Sequence, residues 1–342
     1  MRVLFAVRYH LAWLGGVTST THWLALELAR RGHQAAVLTF ESMPAGDALR
    51  VDHSLDYPVF AAPRTDLAVG PVAASFGADV VVVAAVNRER SGWTQSVLEA
   101  AAPLPALLYV HDVGGVELAA ATGPSLAGVA TVSDFLTAEI RAHGGEAVTV
   151  LPIVPRASYR VDSSRSVALF VNPIPQKGLD TALALARARP DVSFAFTRGW
   201  AMDDGALREL EAEARRIGNI QVRWGTDDPA ELYGDARVLL VPSTYPEAWG
   251  RVAAEAQASG IPVIASAVGG LPEAVGDGGL LVDPSAGVDA WLEAFALLWD
   301  DEDAYAGHAS RAELNGRRAD AAAAEAADRF ETLLRQSTSA AT

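Results

Sequence analysis

Two carboxylates eight residues apart, one lysine and one histidine have types and positions that suggest chemistry. Glu247 lies in a polar turn, Ser243 to Glu247, and Glu255 falls about two helical turns into the stretch Trp249–Ser259. The pair could address one ligand from different depths, and Gly250 between them lets backbone approach that ligand closely. Lys177 is the single lysine among 27 basic residues; all the others are arginine. It stands in the turn Pro175-Gln176-Lys177-Gly178, where a phosphate contact would be placed, although a biased composition with one survivor explains it as well. His111 closes the apolar run Pro105–His111 and precedes Asp112 and Gly114-Gly115. An imidazole there could hydrogen-bond a ligand hydroxyl, or simply be a capped loop histidine.

The elements that must hold these residues follow from the apolar pattern. Arg237 to Val241 is a short apolar run, read as a buried parallel strand, and Ile261–Ala265 is the next one. Between them lie the turn and a helix stopped by Gly260, so the helix starts just past the C-terminal end of a strand. In open α/β sheets ligands bind at such places, and a helix start favours anions. The N–H groups of Ala248, Trp249, Gly250, Arg251 and Val252 would point at ligand oxygens. Earlier strands are expected at Arg2–Arg8, Gln34–Thr39, Asp79–Ala85, Val129–Val132 and Ala147–Leu151, with helices at Thr18–Arg31 and Ser133–His143. Gly15-Gly16 follows the first strand and precedes a helix, so bare backbone could face a diphosphate; an ordinary tight turn would use the same residues, and the pair is not Gly-x-Gly-x-x-Gly. After the proline-containing stretch Pro152–Arg165, alternation restarts at Val167–Val171, Val192–Thr197 and Ile220–Trp224, and closes with Leu280–Val282 and helical patterns near 287–299, 303–313 and 318–336. Such alternation means parallel, right-handed α/β sheets.

Taken together, Glu247 and Glu255 with seven residues between them, Gly260-Ile261-Pro262-Val263-Ile264 and Gly269-Gly270-Leu271-Pro272-Glu273 resemble the retaining glycosyltransferases of GT-B fold, family GT4. A lone pair of glutamates at that spacing arises in any acidic helix; the three blocks in this order make the resemblance specific. It implies two Rossmann-like domains facing a cleft, here 1–155 for the acceptor and 156–316 for the donor, with 317–342 a C-terminal helix that can return to the first domain. The resemblance makes Glu255 a ribose-binding carboxylate, Glu247 the residue facing the transferred sugar, and Lys177 the cation on the donor phosphates. It sets Gly15-Gly16 beside the diphosphate and His111 beside the donor sugar. The chain departs from the family where relatives carry an arginine about five residues before that lysine: here the turn has Asn172-Pro173 and is shorter. Arg198, at the end of the next strand, and Arg251 are candidates to replace it, or are plain surface arginines.

The implied activity is transfer of a sugar from a nucleotide-diphosphate sugar to an acceptor hydroxyl with retained configuration, without metal or cofactor. A sugar-nucleotide 2-epimerase on the same scaffold, or a non-catalytic two-domain sugar-binding protein, would share fold and cleft. Asp301-Glu302-Asp303 is an Asp-x-Asp, but it sits in an acidic run between two C-terminal helices and reads as solvated surface. The net charge of −15 argues against nucleic acid and against electrostatic docking on anionic lipid. With no cysteine, disulfides, thiolate catalysis and Cys-zinc sites are excluded. Neither a secretion-type leader nor a membrane-length apolar run is apparent, so the expectation is a cytoplasmic protein.

Overall fold

A computed structural model describes the chain except residues 11–14, 45–48, 86–90, 200–201, 227 and 340–342. Trp13, which the sequence places in a loop for the acceptor, lies outside the described residues. The chain forms two compact units, Met1–Ile153 with Ala322–Thr342, and Val154–Ala321.

In the first unit the strands are β1 (Arg2–Val7), β2 (Gln34–Phe40), β3 (Arg50–Asp52), β4 (Val59–Ala62), β5 (Val80–Ala85), β6 (Ala106–Val110), β7 (Gly128–Thr131) and β8 (Val148–Thr149). They form one sheet in the order β3-β4-β2-β1-β5-β6-β7-β8, parallel but for the β3–β4 pair. The run Val80–Ala85 is buried at every position, as a strand covered on both faces must be. Strands β3 and β4 are not announced by the sequence, being three and four residues long with little apolar alternation. Part of one face is covered by the C-terminal helix: Phe330 stacks on Phe5 at 6.1 Å, and Arg31 pairs with Asp328. His33 faces Glu331 at 3.2 Å, in keeping with a structural role.

The second unit holds β9 (Val167–Val171), β10 (Ser193–Thr197), β11 (Ile220–Arg223), β12 (Ala236–Val241), β13 (Val263–Ser266) and β14 (Gly279–Val282). All are parallel, in the order β11-β10-β9-β12-β13-β14. Strand alternation supplies a core on each face. Phe170, Phe194, Phe196 and Leu240 pack with Phe295 on one side, and Leu169, Ala195, Leu239 and Val263 with Ala253 and Leu271 on the other. The chain winds outward from β9 in one direction and from β12 in the other, so their junction is the topological switch point.

Two expected helices at the C-terminus are one, Glu302–Ser339; residues to Ala321 count with the second unit and those from Ala322 with the first. Gly316, between the two expected patterns, marks a close approach: a Cβ there would lie 2.5 Å from the Gln257 carbonyl. No helix among the described residues is long and apolar enough to cross a membrane.

Candidate functional site

Lys177 and Glu247 meet at the switch point of the second unit. Asn172, directly after β9, adopts a left-handed conformation with φ 60, and a short 3-10 turn Pro175–Lys177 follows. Gly178 has φ 84, and a Cβ on it would fall 1.8 Å from the Pro242 carbonyl oxygen at the end of β12. Only glycine allows the two loops to press together this closely. Thr244 N–H donates to the Gln176 carbonyl at 3.0 Å and fastens the contact. The Lys177 ammonium then reaches both Glu247 oxygens, at 2.6 and 2.8 Å. Ser243 Oγ donates to one of them, Tyr245 OH stands 3.4 Å from the other, and Lys177 Nζ lies 5.3 Å from the centre of the Tyr245 ring. Burial by itself would push the lysine pKa down; Glu247 and then Tyr245 outweigh it and hold it above its ordinary value. The ammonium is therefore charged at neutral pH while largely withdrawn from water.

The glycine blocks of the sequence turn out to hold this loop. Gly270 N–H donates to the Glu247 carbonyl at 2.8 Å, and a Cβ on Gly269 would come within 2.2 Å of that same oxygen. Gly250, φ 125, presses on Leu271, whose side chain a Cβ would meet at 2.7 Å. Packing on Leu271 is thus a reason for glycine here besides the expected ligand approach. That conformation also delays the helix, which runs only over Arg251–Gln257, so Ala248 and Trp249 belong to the preceding loop rather than to a helix start. Of the expected donors over Ala248–Val252, the Arg251 and Val252 N–H groups stand at the helix start, and those of Ala248 and Trp249 come from the loop before it. Val252 packs against the core of this unit.

Glu255 and Arg251 form a second buried pair, with Arg251 Nε 2.7 Å from Oε1. Tyr233 OH donates to Glu255 Oε2 at 2.8 Å, and Arg251 Nη2 donates to Tyr159 OH at 3.0 Å. Burial, and then the Glu255 charge, pushes the Tyr233 hydroxyl well up, so it stays a donor at any accessible pH. Neither tyrosine was singled out in the sequence, because both come from elements remote in the chain. Arg251 is turned to Glu255 and does not stand as a replacement phosphate cation. Arg198 has a different setting. It is 8% exposed, its Nε is buried without a hydrogen-bond partner, and its guanidinium carbon lies 4.1 Å from the centre of the Trp224 ring.

Gly15, Gly16 and His111 belong to the first unit. Gly15 is fully extended, and its carbonyl accepts from Ser19 as the helix Gly16–Arg30 begins. A Cβ on Gly16 would meet nothing within 4 Å, so packing does not explain that glycine. His111 follows β6 with its ring centre 4.2 Å from that of Tyr109, whose hydroxyl donates to the Val150 carbonyl. The imidazole keeps some exposed surface, yet burial pushes its pKa down to about 3. It is a neutral hydrogen-bonding group at pH 7 and carries no proton to donate as an acid. Gly115, by contrast, is explained by packing, since a Cβ there would meet Val110 at 3.0 Å and Ala85 at 3.1 Å.

Residues 156–318 match the sequence profile of the family described as glycosyl transferases group 1. The match covers just under half of the chain. Among curated proteins the chain is similar to the D-inositol 3-phosphate glycosyltransferase of Segniliparus rotundus, 41% identical over 157 residues, or 42% of this chain and 34% of the relative. The corresponding Kribbella flavida protein is 36% identical over 224 residues, covering 60% of this chain and 50% of the relative. The chain thus spans half or less of the length of these curated relatives. Among solved structures, sucrose-phosphate synthase from Thermosynechococcus elongatus matches with a TM-score of 0.79 over 98% of this chain and all of that one, at 19% identity. Anabaena HepE in complex with UDP-glucose matches with 0.78 over 97% and 100%, at 17% identity. The fold is GT-B.

Within this group 1 frame the acidic run near the C-terminus has structural employment. Asp300 pairs with Arg189, Asp301 caps the last helix through the Ala304 N–H, and Glu302 pairs with Arg237. The sequence gives no hint of one cluster in the first unit. His10 Nε2 and His22 Nδ1 both contact Tyr57 OH, at 3.0 and 2.6 Å. Burial, with a smaller contribution from His22, lowers the His10 pKa to about 4. The unfolded chain takes up that proton near pH 6.5, before the native state does, so acid favours unfolding. Stability is expected to fall as pH drops from 6.5 toward 4, by at most about 1.4 kcal/mol per pH unit for this group. His111 adds a similar slope. Urea unfolding between pH 7.5 and 5 should show a shallower decline in His10→Asn; an unchanged slope would refute the assignment.

Proposed function

We propose that the chain is a glycosyltransferase that moves a sugar from a nucleoside-diphosphate sugar to an acceptor hydroxyl with retention of anomeric configuration and without a metal. The carrying observation is the charged, part-buried Lys177 bound to Glu247 at the switch point, in a segment that matches the group 1 family. In this reading the acceptor oxygen bonds to the anomeric carbon while the bond from that carbon to the diphosphate oxygen breaks. The acceptor proton passes to the departing diphosphate on the same face. Lys177 stabilises the charge that grows on the leaving group, as a preorganised cation in a partly desolvated site. Glu247 holds the ammonium in place, and with both oxygens engaged it is poorly suited to attack the sugar itself. Glu255 would accept from ribose hydroxyls through the lone pairs that Arg251 and Tyr233 leave open. That HepE was solved with UDP-glucose makes UDP the first nucleotide to try.

Calorimetric titration of UDP, GDP, ADP and dTDP in the presence of EDTA tests the donor site. One nucleotide is expected to bind in the micromolar range, and Glu255→Gln, checked for native folding, should weaken it. No binding by any diphosphate, or binding that EDTA abolishes, would overturn the metal-free donor site.

A further inference from the structure

Three strand ends on one side of the switch point are locked together by features that sheet pairing does not require. Asn172 Oδ1, beyond β9, accepts from the Gly199 N–H beyond β10 at 2.8 Å, and a Cβ on Gly199 would lie 2.4 Å from that oxygen. A Cβ on Gly225, beyond β11, would lie 2.0 Å from the Arg198 carbonyl. These contacts fix Arg198 and Trp224 side by side, with the guanidinium carbon 4.1 Å from the ring centre.

The two side chains are oddly disposed. Trp224 is 76% exposed, a large apolar ring left in water at the sheet edge. Arg198 is the opposite, a buried cation with an unpartnered Nε and no carboxylate beside it among the described residues. Burying a charge in this way is unfavourable unless an anion completes the site. One face of the indole is covered by the guanidinium, which leaves the other face for a flat ligand. Adjacent strands are about 4.8 Å apart, so the rim from the end of β9 to that of β11 is about 10 Å wide. It begins at the loop carrying Lys177. A ligand with an anionic end near Lys177 and Arg198 and an aromatic end at the sheet edge fits this order, and a nucleoside diphosphate has that layout.

We infer that Trp224 is the stacking platform for the nucleobase of the donor, with Arg198 between platform and diphosphate. This rests on the proposed donor site and adds the residue that grips the base. Stacking is tolerant of base identity because every base offers a π-face. Trp224 therefore supplies affinity, and the choice of base falls to other groups.

The test compares calorimetric binding of the preferred nucleoside diphosphate and of inorganic pyrophosphate to wild type, Trp224→Ala, Trp224→Phe and Lys177→Ala. Trp224→Ala should weaken the nucleotide about tenfold to hundredfold. It should leave pyrophosphate affinity within about twofold, and Trp224→Phe should restore most of the loss. Nucleotide binding unaffected by Trp224→Ala but lost in Lys177→Ala would overturn the platform and leave the donor site standing. An equal loss of pyrophosphate would overturn it too, showing that the indole acts only by holding Arg198. If Trp224→Ala changes sedimentation while nucleotide affinity holds, the ring is a protein contact instead. Failure of wild type to bind any nucleoside diphosphate would remove the donor site itself.

Discussion

Replacing Lys177 by Met is expected to lower kcat by about 10²- to 10³-fold, the loss typical of removing one preorganised stabiliser of developing charge. The magnitude follows from the setting. The ammonium is the charge nearest Glu247, it is held by both carboxylate oxygens, and it lies where little water can screen it. A diphosphate arriving there meets a cation already oriented, so no reorganisation is needed when the bond breaks. KM should move less than kcat, because the interaction strengthens as leaving-group charge develops. Met keeps the length and apolar bulk of the lysine stem, which isolates the charge. It also leaves Glu247 buried with only Ser243 and Tyr245 beside it, and breaking a buried pair can cost about 3–5 kcal/mol of stability. Urea unfolding of the same variant separates the two effects, and Lys177→Met/Glu247→Gln, which removes both charges, should regain stability without regaining turnover. A folded Lys177→Met enzyme that keeps more than about a third of wild-type kcat would end the leaving-group role.

The central strands were legible because they are continuous apolar runs rich in β-branched and aromatic residues, and Lys177 was legible because no other lysine competes with it. Tertiary partners were not. Tyr233 and Tyr159 reach the Arg251–Glu255 pair from other elements, and the Asn172–Gly199 clasp joins residues 27 positions apart. The pair itself had a signal: an arginine four residues before a glutamate on a helix is a neighbour by geometry. Reading Arg251 as a phosphate cation passed over that spacing. Glycines were the hardest to read. Gly316 lies inside the last helix where that helix presses on Gln257, and Gly250, read as the way to a ligand, is also packed on Leu271. A sequence shows that a side chain is missing; which atoms occupy the vacated space depends on the fold.

That distinction sets the second large effect. Gly178→Ala is expected to destabilise the second unit by about 2–4 kcal/mol, at the upper end of single substitutions, and to lower kcat/KM by at least about tenfold. Two costs combine. The left-handed φ of 84 disfavours any Cβ by about 1–2 kcal/mol, and the new carbon would sit 1.8 Å from the Pro242 carbonyl, so one loop must give way. Pro242 immediately precedes Ser243, and Lys177 immediately precedes Gly178, so whichever loop moves takes one partner of the Lys177–Glu247 site with it. Gly218→Ala in the same unit is the control: its φ is 94, but a Cβ there meets nothing within 4 Å, so it bears only the backbone cost. Urea unfolding and kinetics of the two variants together separate strain from contact. If Gly178→Ala proves no less stable and no less active than Gly218→Ala, the close approach to Pro242 does not hold the site together, and Lys177 must be positioned by the proline-rich turn alone.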